Sequence, residues 1–203
     1  MITNHAEIDE IAIWDDFRNG DKSAYEFIYR KYAPMLYNYG FQITANRALT
    51  QDCIQELFIT LLVCRVKIKK TDSIKFYLYK SLRRALMQAM KRDNRYTGRC
   101  EEFENSFNVV LSYEYDLIEE QVSAERSAQL HKALDDLPPR QKEVIFLRFF
   151  EDLSFEQIAV VMGIEQSSVY KIIYKAIHNL QGRLLLEYAI VLFQFHVNFR
   201  VHG

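Results

Sequence analysis

Two long stretches of the chain carry apolar residues at helical spacing. In the first, from about Asp21 to Lys91, Leu49, Cys53, Ile54, Leu57, Phe58, Leu61 and Leu62 recur at steps of three and four. That is the mark of an amphipathic helix with one buried stripe. After the turn-like Lys70-Thr71-Asp72-Ser73 comes a second stripe of Leu78, Leu82, Ala85, Leu86 and Ala89. Asp72 or Ser73 suits the N-cap of that helix. Ahead of both lies a segment rich in Tyr and Phe, Tyr25 to Phe41, in which Pro34 predicts a kink or break. The periodicity lapses from about Tyr96 to Val122 and resumes near Ser123, continuing to about Glu187. Within this second block, Pro138-Pro139 ends one helix and starts the next.

The sharpest local pattern lies between Ser154 and Ile177. Ser154-Phe155-Glu156-Gln157 has capping-box form, a hydroxyl at the cap and an amide three residues on. Ile158, Met162, Ile164, Val169 and Ile172 supply apolar pins for two short helices. Ala159 is the small residue that lets two helices approach, and Gly163 stands where the turn needs a left-handed backbone. This is the spacing of a helix-turn-helix, whose second helix enters the DNA major groove. That helix, about Ser167 to Leu180, turns Gln166, Ser167, Ser168, Tyr170, Lys171, Tyr174 and Lys175 away from the pins. Gln, Ser and Lys bond base edges or phosphates, and Tyr contacts a thymine methyl or a backbone oxygen. The plainer alternative is a helical hairpin with a solvated polar face.

Charge sharpens the picture. The net charge is only −1, but the signs are segregated. From Leu61 to Arg99 there are 12 Lys/Arg against 2 Asp/Glu; from Glu101 to Glu125 there are 8 Asp/Glu and no Lys or Arg. From Arg126 to Arg183 the count is 8 against 7. One block attracts a polyanion and the next repels one. On the helix after Ser73, Tyr77, Lys80, Arg84, Met87 and Lys91 share a side, flanked by Arg83 and Arg92. Cations interleaved with rings suit strand-separated nucleic acid, although a solvated basic face reads the same way. One helix earlier, Asp52, Gln55 and Glu56 stand opposite the apolar stripe; they are either simply solvated or a polar docking face for another protein's helix.

Few Gly (6) and Pro (3) among 203 residues, with long runs of helix formers, predict an all-α protein. The expected architecture is two small helical domains, residues 10–96 and 123–187, joined by an acidic flexible linker at 97–122. The second is a four-helix domain with the helix-turn-helix, and an apolar tail at 188–203 packs on its own domain. Met1 to Trp14 lacks a signal-peptide core, and no run reaches the about eighteen apolar residues of a membrane span, so a cytoplasmic protein without membrane insertion is expected. Cys53, Cys64 and Cys100 read as reduced thiols, and no Cys/His set has metal-ligand spacing. No glycine-rich phosphate loop, nucleophile elbow or catalytic carboxylate pair is present, so neither an enzyme, a metal site nor a cofactor is expected.

Four strings stand in order: Asp52-Cys53-Ile54-Gln55-Glu56-Leu57-Phe58; Tyr77-Leu78-Tyr79-Lys80-Ser81-Leu82-Arg83-Arg84; Leu137-Pro138-Pro139-Arg140-Gln141-Lys142-Glu143-Val144; and the helix-turn-helix. Together, over about Asp15 to Leu184, they resemble the extracytoplasmic-function (ECF) group of bacterial sigma factors, in the variant common in Bacteroidetes-type bacteria. The resemblance implies a transcription initiation factor that binds core RNA polymerase and recognises the −10 and −35 promoter elements. It implies that Asp52, Gln55 and Glu56 dock on the polymerase clamp helices, with Phe58 in the core. It puts Tyr77, Lys80, Arg83, Arg84 and Lys91 at the locally melted −10 element. The recognition helix, Gln166 to Lys175, would read the double-stranded −35 element. The acidic tether would thread channels built for nucleic acid, its carboxylates mimicking an RNA backbone. The resemblance further implies a membrane-anchored anti-sigma factor as partner. Tyr77 stands where the family commonly has Trp, and Arg84 where it has Asn, which unsettles the identity of the −10 base read. A stand-alone helix-turn-helix regulator with an N-terminal sensing or dimerisation domain is the alternative, and it leaves the charge segregation without a use.

Overall fold

Residues 10–97, 107 and 132–181 are described in the computed structural model, and the chain divides into two units between Glu101 and Glu102. Among the described residues all regular structure is helical, as the composition predicts.

In the first unit, α1 (Glu10–Asn19), α2 (Lys22–Thr44), α3 (Arg47–Cys64) and α4 (Ile74–Thr97) surround one core. A single 3₁₀ turn, Arg65–Lys67, follows α3. The helix starts are set locally. Asp21 Oδ1 accepts from the backbone N–H of Ser23 (2.6 Å) and Ala24 (3.1 Å) to cap α2. Asn46 caps α3 through the Leu49 N–H at 3.1 Å. Of the two candidate caps for α4, Ser73 is the one used: its Oγ accepts from the Phe76 N–H at 3.2 Å. Pro34, expected to kink or break the chain, lies inside an uninterrupted α2. Burial of Tyr32, Leu36 and Tyr39 on that helix outweighs the one backbone hydrogen bond that proline cannot make.

The fully buried residues Trp14, Phe17, Ile28, Tyr32, Leu36, Tyr39, Ile74, Leu78, Tyr79, Leu82 and Leu86 form the core, with α2, α3 and α4 packed pairwise. At Gly40 the three helices approach closely. A Cβ there would stand 2.8 Å from Thr50 Cγ2 and 3.4 Å from Leu86 Cδ1. Thr50 cannot step aside freely, because its hydroxyl donates to the Asn46 carbonyl at 2.8 Å. The first helix is tied down at its start. The Glu10 carboxylate accepts from the Tyr32 hydroxyl, from Lys31 Nζ at 3.0 Å and from the Ile74 backbone N–H. Burial works to raise the Glu10 pKa, but these hydrogen bonds and the Lys31 charge outweigh it and leave the group below its ordinary value.

The second unit has a helical stretch at 132–135, then α5 (Pro139–Ile145), α6 (Phe155–Met162) and α7 (Gln166–Gln181). Pro139 occupies the first helical position, where its missing N–H costs nothing. Beyond Ile145 the backbone widens into a π-turn over Phe146–Phe150, where the Glu151 N–H reaches the Phe146 carbonyl at 3.2 Å. Ala133, Leu134 and Leu137 pack with Ile145, Ala176 and Leu180. Phe107, which the lapse in periodicity assigns to the linker, is buried and lies 5.9 Å from the Phe146 ring, within this unit. A ring of that size gains more on an apolar surface than in water. The remainder of the acidic linker and the apolar tail at 188–203 lie outside the described residues.

Gly40→Ala is expected to destabilise the first unit by about 1–2 kcal/mol, overpacking outweighing the gain in helix propensity; a thermal melt reads it. Glu10 stabilises the fold above its unfolded pKa of about 4.3, and that share is lost as pH falls through the lower folded value. Glu10→Gln should therefore lower the melting temperature at neutral pH and flatten its decline below about pH 4. A slope like the parent's would place the acid sensitivity on another group.

Candidate nucleic-acid interfaces

The helix-turn-helix of the second unit forms as its sequence dictates. The Gln157 N–H donates to Ser154 Oγ at 3.1 Å, and the Ser154 N–H donates to Gln157 Oε1 at 2.9 Å, closing the capping box. Gly163 ends α6 at φ 67°, and a Cβ there would meet nothing within 4 Å. The glycine is needed for its backbone angle rather than for space. Ile158, Ala159, Met162 and Val169 are buried pins; Ile164 and Ile172 are half-buried, and Ile173 takes the buried place beside Ala176. Helical phase explains the last point, since Val169, Ile173, Ala176 and Leu180 follow at steps of four, three and four.

The polar face of α7 is solvent-facing. Gln166, Ser167, Tyr170, Lys171, Tyr174 and Lys175 are exposed and Ser168 is half-buried. Tyr174 is the most open of the rings, at 75% exposure. Tyr170 is held: its ring lies 4.6 Å from Phe155, which lies in turn 5.2 Å from the Arg148 guanidinium. Sequence reasoning missed Arg148 and Phe155 as neighbours of this face. Their separation from Tyr170 along the chain gave no periodic signal.

In the first unit the basic helix α4 presents Lys80, Arg84, Lys91 and Arg92 to solvent, with Arg83 half-buried. Tyr77 is half-buried and in ring contact with Trp14 at 5.1 Å. Burial pushes its phenol pKa up, partly offset by a hydrogen bond with Ser81, so the ring stays neutral at physiological pH. Beside it opens a basin of about 660 Å³ lined by Lys69, Lys70, Phe76, Tyr77 and Lys80, by one carboxylate, Asp72, and, from α1, by Ile11. Lys80 Nζ sits 6.0 Å over the Phe76 ring. A narrower groove of about 270 Å³ runs between α3 and α4, where Glu56 and Thr60 face Tyr77, Arg84 and Arg92.

Asp52, Gln55 and Glu56 are all exposed on α3, while Phe58 is in the core against Tyr29 at 4.8 Å. The buried stripe of α3 is narrower than its sequence suggests. Leu62, expected in that stripe, is 44% exposed and joins Ile59, Val63 and Val66 on an open apolar strip. Leu61 alone fills the core position there, because adjacent residues of a helix cannot face the same way.

Among the described residues no helix is long and apolar enough to cross a membrane, and no cluster of His, Cys, Asp or Glu is arranged to hold a metal ion. Residues 28–96 match the family described as sigma-70 region 2, and residues 127–180 match sigma-70 region 4. The chain is 28% identical over 151 residues to the RNA polymerase sigma factor SigV of Bacillus subtilis, a match covering 74% of this chain and 85% of SigV. It is 23% identical over 168 residues to the ECF RNA polymerase sigma factor SigE of Mycolicibacterium smegmatis, covering 81% of this chain and 64% of SigE. Among solved structures, the sigma factor RpoE of Bartonella quintana, crystallised with the anti-sigma factor NepR, has the same fold: TM-score 0.55 at 17% identity, over 78% of this chain and 94% of RpoE. The region 2 match occupies the half of the chain that a separate sensing domain would need, which disfavours the stand-alone regulator. With both regions present in order over more than half its length, and an ECF member among its relatives, the chain belongs to the sigma-70 family of RNA polymerase sigma factors, in the ECF group.

Proposed function

We propose that the chain docks on core RNA polymerase through α3 and reads promoter DNA at two places, the −10 element with α4 and the loop before it, and the −35 element with α7. The observation that carries the first half is the basin beside Tyr77. Three lysines, Lys69, Lys70 and Lys80, rim it, and Phe76 and Tyr77 line it. Phosphates of a strand-separated segment bind such cations, and an unstacked base packs on a ring for about 1–3 kcal/mol. Arg83, Arg84 and Lys91 extend the cationic path along the same helix. The exposed face of α7 supports the second half, with Gln166, Ser167, Ser168, Tyr170, Lys171, Tyr174 and Lys175 supplying base and phosphate contacts to duplex DNA.

Asp52, Gln55 and Glu56 dock on a helix of the polymerase, where their exposure on a single turn of α3 suits a polar interface. The acidic linker at 97–122 occupies a basic channel of the enzyme, joining the domains proposed at 10–96 and 123–187. The factor performs no chemistry and uses no cofactor; its contribution is binding energy spent on placing polymerase. It works in the cytoplasm, held inactive by a membrane-anchored anti-sigma factor; the RpoE structure, solved with NepR, supports an anti-sigma partner, and the membrane anchor rests on resemblance alone. Resemblance alone supports placing it with the Bacteroidetes-like variants.

Two measurements test this reading. Lys171→Ala with Lys175→Ala should weaken binding to −35 duplex DNA and reduce the salt slope of the affinity by about 2, one for each phosphate left without its lysine. An unaltered slope would remove α7 as the contacting helix. Replacing Asp52, Gln55 and Glu56 together by Ala should cut core polymerase affinity about tenfold or more, with the melting temperature held. Undiminished affinity would move the docking face elsewhere.

A further inference from the structure

We infer that α1 is the element that aims the promoter-reading loop, with Trp14 and Arg18 as positioning residues for −10 recognition. The inference rests on the α4 reading above and extends it to a helix that lies ahead of the matched region 28–96. The loop between α3 and α4 carries Lys67, Lys69 and Lys70 close together, so its cations repel one another. Side chains from α1 hold two consecutive carbonyls of that loop. Arg18 Nε donates to the Ile68 carbonyl at 2.8 Å, and Trp14 Nε1 donates to the Lys69 carbonyl at 3.0 Å.

Other contacts fix the same register. Asp15 accepts from Arg18 at 2.9 Å and from Lys70 Nζ at 3.0 Å, joining the helix to a cation on the basin rim. Glu10 accepts from the backbone N–H of Ile74, the first residue of α4. Glu10, Trp14 and Arg18 are spaced at steps of four, so one face of α1 follows the loop from Ile74 back to Ile68. Trp14 is fully buried, with its ring 5.3 Å from Phe17 and 5.1 Å from Tyr77, and Ile11 lines the basin itself.

Stability by itself calls for the apolar body of Trp14. Its buried N–H also needs an acceptor, and the one it finds is a loop carbonyl, so completing the core and fixing the loop are a single contact. Fixing the two loop carbonyls sets the direction in which Lys69 and Lys70 project, and a binding site works only when its supporting shell holds its geometry. The Asp15–Lys70 pair is exposed and adds little energy, so the two carbonyl contacts carry the placement of the loop.

The test uses the full chain with core RNA polymerase and a pool of templates randomised across the −10 and −35 segments, with transcripts sequenced to give base preferences. Trp14→Phe keeps a ring against Phe17 and Tyr77 and removes the N–H donor together with some core volume. Arg18→Met keeps a chain of similar length with no donor, in a part-exposed side chain, which keeps the test open should Trp14→Phe unfold. Arg18→Lys restores a donor, and Lys80→Ala checks the α4 reading independently. Trp14→Phe and Arg18→Met should bind polymerase and select the −35 segment as the parent does, while −10 preference falls about fivefold, the factor expected for removing one hydrogen bond. Arg18→Lys should recover most of it. Trp14 is the chain's one tryptophan, so its fluorescence should change when a single-stranded oligonucleotide of the selected −10 sequence is added. In Arg18→Met that change should need about fivefold more oligonucleotide. If Lys80→Ala flattens the −10 preference while both α1 variants leave it intact, α1 is only a brace and the inference is overturned with the α4 reading standing. If Lys80→Ala also leaves it intact, the α4 reading falls and takes the inference with it. Equal losses at −10 and −35 would mean general destabilisation and overturn it too.

Discussion

The rotation of α4 about its own axis is the constraint on which the first unit depends. Ile74, Leu78, Leu82 and Leu86 are fully buried at steps of four, with Met90 continuing the row. Each such side chain is worth about 1.5–3 kcal/mol on burial. Turning the helix to bring another face inward would forfeit several of them at once. Lys80, Arg84 and Lys91 are therefore held outward by the core, whatever their mutual repulsion costs. Gly40 belongs to the same constraint, since it lets α2 approach Leu86 and Thr50 closely enough to close that core.

The two units differ in electrostatics, and so in the kind of nucleic acid each would suit. The first concentrates its charge, 12 cations against 2 carboxylates from Leu61 to Arg99, which suits a site that gathers a separated strand. The second is near neutral over Arg126 to Arg183, so its grip on duplex DNA depends on placement. Lys171 and Lys175 stand on one exposed face, while Glu143 and Glu151 are buried and leave that surface less negative than the count suggests. The Arg148–Phe155–Tyr170 series adds rigidity to the same face, holding one ring of α7 against α6.

α1 joins the two demands made on the first unit. Its apolar residues Trp14 and Phe17 complete the core, and its polar groups take hold of the loop that rims the basin. A loop rich in lysine has no reason to keep one shape alone. Held by an indole N–H, a guanidinium and a carboxylate, it presents the same cations in the same place.

Much of the local chemistry was legible in the sequence. The capping box at Ser154 and Gln157, the left-handed turn at Gly163 and Pro139 at a helix start each need only neighbouring residues, so the amino-acid string decided them; for α4 it narrowed the cap to Asp72 or Ser73. Periodicity decided that the chain is helical and which residues of α4 and α7 carry charge to the surface. What the string left open required distant atoms to meet. Pro34 remains inside α2 because long-range packing outweighs one missing hydrogen bond, and Leu62 faces solvent because Leu61 already fills the core. Phe107 joins the second unit because the Phe146 ring offers it an apolar surface. Tertiary structure alone brought Trp14 and Arg18 to the carbonyls of residues some fifty positions away. No pattern along a chain encodes such a meeting, since it depends on how four helices share one interior.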